Sequence, residues 1–347
     1  MKIQLKTLAV LTGILLLTVN ARAQYLSSSD SLRQLLDTTI RIMRREAVRS
    51  GDVKWNKLSR EVYREAGRVK SVKEGGYLFT RLFDELHDVH GVFLYKDTVF
   101  RSSSRPQHAD QINEVTLEAL KKGPRIITRM LQGNVAYINV PFINVQDSAG
   151  VTAMANRLND SVLSLLKQTP SGLVIDLRLN QGGNMFPMIA GLRSLFGNET
   201  VSGGWTYEKH EEPGTYFSND SLISDYYKIR LNRMATFKDL PVAVLIGPST
   251  ASAGECTAAA LTFRGNSVLI GEPSMGLTTI NNGYRLDSDI GFNLSIGYIT
   301  DGNGNRLEDY IRPDIQVMNG DNFADLENDG KINAAKDWIS KKLSAGL

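Results

Sequence analysis

The sequence predicts an α/β protein: a largely parallel sheet with helices on its faces, preceded by a small helical domain. Three observations predict it. After Gly133, apolar runs of strand length alternate with helix-length amphipathic stretches. Leu173–Leu177 and Val242–Ile246 are apolar almost without interruption, the pattern of strands covered on both sides. From Ser31 to Val89, by contrast, the apolar spacing is helical.

In chain order, the first 23 residues combine Lys2 and Lys6, the apolar stretch Leu8–Val19 and the small residues Ala21-Arg22-Ala23. That is a secretory signal pattern with cleavage expected after Ala23, and its apolar stretch falls short of the roughly 20 residues of a membrane span. No cysteine follows it, so neither lipid attachment there nor a stable membrane anchor after cleavage is expected. The expected destination is exported, periplasmic or extracellular. Residues 24–95 read as the helical domain. Leu32, Leu35, Leu36, Ile40 and Met43 form one stripe, Trp55, Leu58 and Val62 a second, and Leu78, Leu82, Phe83 and Leu86 a third after Gly75-Gly76. Residues 96–132 read as a connecting segment, with a polar loop at Arg101–Asp110.

The core, 133–347, begins with a strand at Val135–Val140 and a helix at Thr152–Leu166. A buried strand at Leu173–Leu177 then ends in Asn180-Gln181-Gly182-Gly183, and a helix spans Met185–Phe196. Gly203–Asp225 reads as irregular. The strand Val242–Ile246 leads into STASAGE (Ser249–Glu255) and the alanine-rich helix Ala253–Leu261. Ser267–Ile270 and a strand pair around Tyr284–Leu286 and Phe292–Thr300 follow.

The formal charge of +3 comes from Lys2, Lys6 and Arg22, so the chain without its first 23 residues is neutral. A neutral chain without a basic patch offers nucleic acid no electrostatic footprint, and no nucleic-acid partner is expected. Cys256 is the single cysteine, which excludes an intrachain disulfide. Neither a dinucleotide fingerprint nor a phosphate-binding Gly-Lys-Ser/Thr loop is present, and no cofactor is expected.

Ser252 falls on a strand-to-helix turn, where free backbone N–H groups and the helix dipole can receive an oxyanion. Capping the helix is the simpler role for a serine there. The N–H of Ala253 and the backbone of Gly182 or Gly183 are the candidate oxyanion donors. A serine nucleophile needs a base, and the chain has four histidines, His87, His90, His108 and His210. His90 stands at a helix-to-strand corner suited to a fixed base, whereas His108 and His210 lie in polar stretches where exposure is the default. His87 and His90 lack a third partner motif, and no metal site is expected. Asp325–Gly330 begins like a calcium loop but has Lys336 where glutamate is required, so it reads as a turn before a C-terminal helix. Cys256 reads as small-residue packing within its helix.

VIDLRLNQGG (Val174–Gly183), STASAGE (Ser249–Glu255), GEPSMG (Gly271–Gly276) and RPDIQV (Arg312–Val317) occur in the order seen in the C-terminal processing, or tail-specific, serine peptidases. The resemblance covers about Gly133 to Val317. It implies a Clp protease/crotonase-like core, with Ser252 as nucleophile. Leu277 occupies the place of the lysine base of many members, so the chain is similar instead to the tricorn-type branch, whose histidine comes from a Leu-Gly-Asp-x-His motif. Leu86-His87-Asp88-Val89-His90 matches that motif with His87 in place of glycine. By the same resemblance, Glu308 in RLEDYIRPDI is the acidic partner. Val89 replaces the serine that tricorn has beside its histidine, so the full tetrad is not reproduced. Asp176, Arg178 and Glu272 are assigned to structure, and Ser274 and Thr278 are candidate pocket hydroxyls. The interval from Tyr95 to Gly133 is too short for the PDZ domain many members insert.

The resemblance implies a serine-type peptidase acting on peptide or protein substrates, on unfolded or C-terminal segments, by an acyl-enzyme mechanism. A catalytically silent peptide- or lipophile-binding protein and an esterase-type acyl hydrolase are the other classes that the same fold accommodates.

Overall fold

The apolar stripes of the N-terminal region become α1 (Ser28–Glu46), α2 (Trp55–Ala66) and α3 (Gly76–Glu85) in the computed structural model. It describes residues 28–197, 205–207, 210–212, 215–224, 226–262, 264–300, 306–307 and 309–345, so the signal segment lies outside the described residues. Leu36, Ile40 and Met43 of α1, Leu58 and Val62 of α2 and Leu78 and Leu82 of α3 are buried in one apolar cluster.

The chain continues through β1 (Val92–Tyr95), β2 (Thr98–Arg101), α4 (Glu114–Lys121) and β3 (Thr128–Leu131). The stretch expected to be connecting chain thus carries three regular elements. Its polar loop does follow β2, but β3 pairs with the core, and the boundary expected at 95/96 falls inside the β1–β2 hairpin. Next come β4 (Val135–Asn139), α5 (Ser148–Leu166), β5 (Gly172–Asp176) and α6 (Met185–Gly191). The helix expected over Met185–Phe196 stops at Gly191 and passes into a short 3-10 turn, Arg193–Leu195. Gly203–Asp225 is not irregular among its described residues: β6 (Trp205–Tyr207), β7 (His210–Glu212), β8 (Tyr216–Ser218) and β9 (Ser221–Ile223) are short antiparallel hairpins. Strands of three residues are too short for their alternation to show in sequence. The remainder is β10 (Lys228–Arg230), β11 (Val242–Ile246), α7 (Ala253–Thr262), β12 (Ser267–Gly271), β13 (Thr279–Asp287), β14 (Ile290–Ile299), β15 (Ile315–Gln316) and α8 (Gly330–Ala345).

The central sheet has the order β15-β12-β11-β5-β4-β3, parallel throughout except for β3. Ile138, Ile175 and Val244 face α5, α6 and α7, while Val174, Ala243 and Leu245 face Ile332, Ala335 and Ile339 of α8. Coverage on both sides explains why β5 and β11 are apolar at nearly every position. A second sheet, β2-β1-β14-β6-β7 with β13 on β14, joins the helical region to the core. Phe93 of β1 stacks on Phe79 of α3 at 3.6 Å between centroids and lies 6.2 Å from Phe292 of β14.

Candidate active site

β11 ends at Ile246, and the chain turns through Gly247–Ala251 to reach α7. Thr250 Oγ1 donates to Leu177 O at 2.9 Å, and the Ala251 N–H donates to Asn180 O at 3.0 Å, tying this turn to the end of β5. Ser252 is then held at φ +52°, a left-handed conformation that costs a non-glycine residue about 1–3 kcal/mol and persists where the surroundings enforce it. Its N–H donates to Glu255 Oε2 at 2.7 Å, the backward half of a capping box. Its Oγ has no hydrogen-bond partner among the described residues, so the hydroxyl is not spent on capping.

Glu255 is fully buried. Besides the Ser252 N–H, its carboxylate accepts from Ser274 Oγ at 2.5 Å, Gly276 N at 3.0 Å and Leu277 N at 2.9 Å. Burial pushes its pKa up to about 7, against the pull of these four donors. Ser274 is therefore a buried brace for Glu255, not a pocket hydroxyl, whereas Thr278, though largely buried, lines a second cavity with Asp88, His90 and Ser295.

The two glycines of the Asn180–Gly183 turn are not equivalent. Gly182 donates its N–H to Asn180 Oδ1 at 3.0 Å, whereas the N–H groups of Gly183 and Ala253 have no partner among the described residues. Gly182 has φ +112°, and a Cβ there would come 3.0 Å from Ser252 Cβ, so a side chain is excluded beside the serine. Gly183 and Ala253 line the same cavity as Ser252.

His90 lines that cavity too. After α3, His87 takes φ +49° and reverses the chain, and Asp88 Oδ1 accepts the N–H groups of His90 at 3.1 Å and Gly91 at 2.7 Å. His90 Nδ1 is 2.9 Å from Thr279 Oγ1, which is 2.9 Å from Ser295 Oγ. Ser295 Oγ donates to Asp88 Oδ1 at 2.7 Å, and the Ser295 N–H donates to Asp88 Oδ2 at 3.0 Å. Desolvation lowers the His90 pKa to about 4, with the charge of Asp88 acting in the opposite direction, so the ring is neutral near pH 7. No hydrogen bond joins His90 to Ser252 among the described residues. The rest of the cavity wall combines the apolar Met185, Phe186, Tyr227, Ile280 and Ile296 with the side-chain amides of Gln181, Asn184, Asn281, Asn282 and Asn293.

Glu308 lies outside the described residues. His108 is buried, not exposed: its Nδ1 is 2.7 Å from Ser274 O and its ring meets Tyr310 edge-on. His210 lies in β7. Arg178 is buried among Asp176, Asp321 and Asp329 at 2.7–2.8 Å, and Lys331 joins Asp321 to Glu272, an ion network of which no member lines the cavity. Asp329 caps α8 by accepting from Lys331 N and Ile332 N, both at 3.0 Å, so Asp325–Gly330 is a turn into a helix. Cys256 reaches the cavity wall, and burial raises its thiol pKa, which keeps it protonated and a poor nucleophile. Among the described residues no cluster of His, Cys, Asp or Glu is arranged to hold a metal, and no helix is long and apolar enough to cross a membrane.

Sequence reasoning missed Asp88, Thr279, Ser295 and Glu255 as site residues. The Ser252-x-x-Glu255 spacing is itself a capping-box signal; Thr279 and Ser295 meet only through strand pairing and left no local signal.

The model of peptidase family S41 matches residues 134–317. The nisin-resistance protein of Lactococcus lactis subsp. lactis is 30% identical over 197 residues, covering 56% of this chain and 60% of that protein. The carboxy-terminal processing protease CtpA of Bacillus subtilis is 32% identical over 142 residues, covering 41% of this chain and 27% of that protein. The chain therefore spans less than two thirds of the length of either curated relative. A lipoprotein from Streptococcus agalactiae superposes with a TM-score of 0.66 over 93% of this chain and 99% of that one, at 22% identity, which shows a shared fold.

Proposed function

The chain belongs to peptidase family S41, and on that premise we propose that it is an exported serine peptidase in which Ser252 is the nucleophile and His90 the general base. The observation that carries this reading is the condition of Ser252. It is held in a left-handed turn at the start of α7 with an unengaged Oγ, beside two unengaged N–H groups and in one cavity with a neutral histidine. Ser252 Oγ attacks the scissile carbonyl while His90 takes its proton and later returns it to the leaving amine. The N–H groups of Ala253 and Gly183 receive the oxyanion, a contribution of about a hundredfold or more per donor. Gly182 holds the turn through Asn180, and Glu308 remains the acidic residue proposed from the family motif.

The substrate is a peptide or protein in extended form. Among the described residues β13 has β14 as its one strand partner, and the other edge of its first residues, Thr279–Asn282, runs along the cavity, where a peptide can add as a strand. The apolar wall of Phe186, Tyr227 and Ile296 suits an apolar substrate side chain. The signal pattern of the first 23 residues supports export.

Turnover of an unfolded protein or a quenched fluorescent peptide by wild type, Ser252→Ala and His90→Ala tests the reading. Both variants are expected to lose about a thousandfold or more in kcat. Undiminished cleavage by Ser252→Ala would overturn it.

A further inference from the structure

We propose that a relay of two hydroxyls, Thr279 and Ser295, connects His90 to the buried carboxylate of Asp88 and fixes the tautomer in which His90 acts as a base. The direction of every proton in the relay follows from the donor and acceptor inventory. Asp88 is buried, and its carboxylate oxygens already accept the N–H groups of His90, Gly91 and Ser295. Its 2.7 Å contact with Ser295 Oγ therefore takes the one hydroxyl proton of Ser295. Asn281 Oδ1, at 3.1 Å from Ser295 Oγ, is the more distant competitor for that proton. Ser295 Oγ must then accept at its 2.9 Å contact with Thr279, so Thr279 donates there. Having used its proton, Thr279 Oγ1 must accept from His90 at 2.9 Å. Nδ1 carries the hydrogen, and Nε2 is left with its lone pair.

The relay is built from three distant parts of the chain. Asp88 and His90 lie between α3 and β1, Thr279 begins β13, and Ser295 is in β14, where its register partner is Asn281. The backbone N–H groups of His90, Gly91 and Ser295 also converge on Asp88 and fix the carboxylate, which has no ion-pair partner among the described residues. Thr279, Ser295 and Asp88 are positioning residues. No proton needs to travel along the relay: Nε2 takes the Ser252 proton, and the Nδ1–H bond to Thr279 strengthens as the ring becomes positive. The same device that a direct carboxylate supplies in a Ser-His-Asp triad is thus extended by two hydroxyls.

This inference refines the role of His90 in the proposed peptidase, but its first test does not depend on turnover. In protein labelled with 15N-histidine, two-bond 15N–1H correlation at pH 7 is expected to show His90 protonated at Nδ1 and bare at Nε2. Thr279→Val is expected to shift the ring toward the Nε2-protonated form, and Thr279→Ser to restore it. In turnover, Thr279→Val and Ser295→Ala should each lower kcat about tenfold to a hundredfold with little change in KM, and the double variant should lose no more than either alone. An Nε2-protonated ring in the wild type would overturn the relay. So would a Thr279→Val protein, folded by its melting curve, with wild-type tautomer and kcat. Full activity in Ser252→Ala would instead sink the peptidase reading and leave the tautomer result standing.

Discussion

Ser252 and Glu255 are one unit at the residue scale. The carboxylate holds the Ser252 N–H and the loop at Gly276 and Leu277, so the backbone of the proposed nucleophile depends on a buried acid with four donors around it. Two inflections in kcat/KM follow. Uptake of a proton by Glu255, through about 7, places a hydroxyl against one of those donors and should lower activity partially. Protonation of His90, through about 4, removes the base and should abolish activity. Glu255→Gln is expected to remove the first inflection, at a lower plateau, and to keep the second. A single acid limb near the ordinary histidine value of about 6.5 would contradict the desolvated ring. Ser252 and His90, the proposed nucleophile and base, stood out in the sequence because each sits in a short contiguous motif. Burial of His108 was not, since its partners Ser274 and Tyr310 are more than a hundred residues away and its own neighbours are polar.

Among the elements, β1 has the largest consequence for its size. It places His90 at its N-terminal approach, pairs with β14, and inserts Phe93 between Phe79 and Phe292. Phe93→Ala removes that stack and should destabilise the protein by about 3–5 kcal/mol, measured by denaturant unfolding. At a temperature where the variant is still folded, kcat should fall as His90 loses its fixed position. A stability loss with unchanged kcat would show that β13 and Asp88 alone suffice to hold the ring. The long, doubly covered strands β4, β5 and β11 were readable from their apolar runs, as were α1, α2 and α3 from their stripes. The three-residue strands β6 to β9 were not, because their existence depends on pairing rather than on local pattern. The same holds for the joining of β1 to β14 across about 200 residues of chain.

Over the whole molecule, the candidate site lies where two units meet. The central parallel sheet supplies Ser252, Ala253 and Gly183 from the C-terminal ends of β5 and β11, the end where open α/β sheets place their ligands. The helical region and second sheet supply His90 and its relay. His90 and Ser252 line one cavity without a hydrogen bond between them among the described residues, so the proposed proton transfer requires the ring and the hydroxyl to come together when substrate binds. In the proposed mechanism a proton-accepting His90 and an oxyanion site at Ala253 and Gly183 both serve one reacting atom, Ser252 Oγ. The most direct measurement is therefore covalent labelling of the protein by a fluorophosphonate, with the adduct mapped by peptide mass spectrometry. The account predicts a single adduct on Ser252, slowed strongly in His90→Ala. Absence of an adduct on folded wild type, or the same labelling in Ser252→Ala, would contradict it.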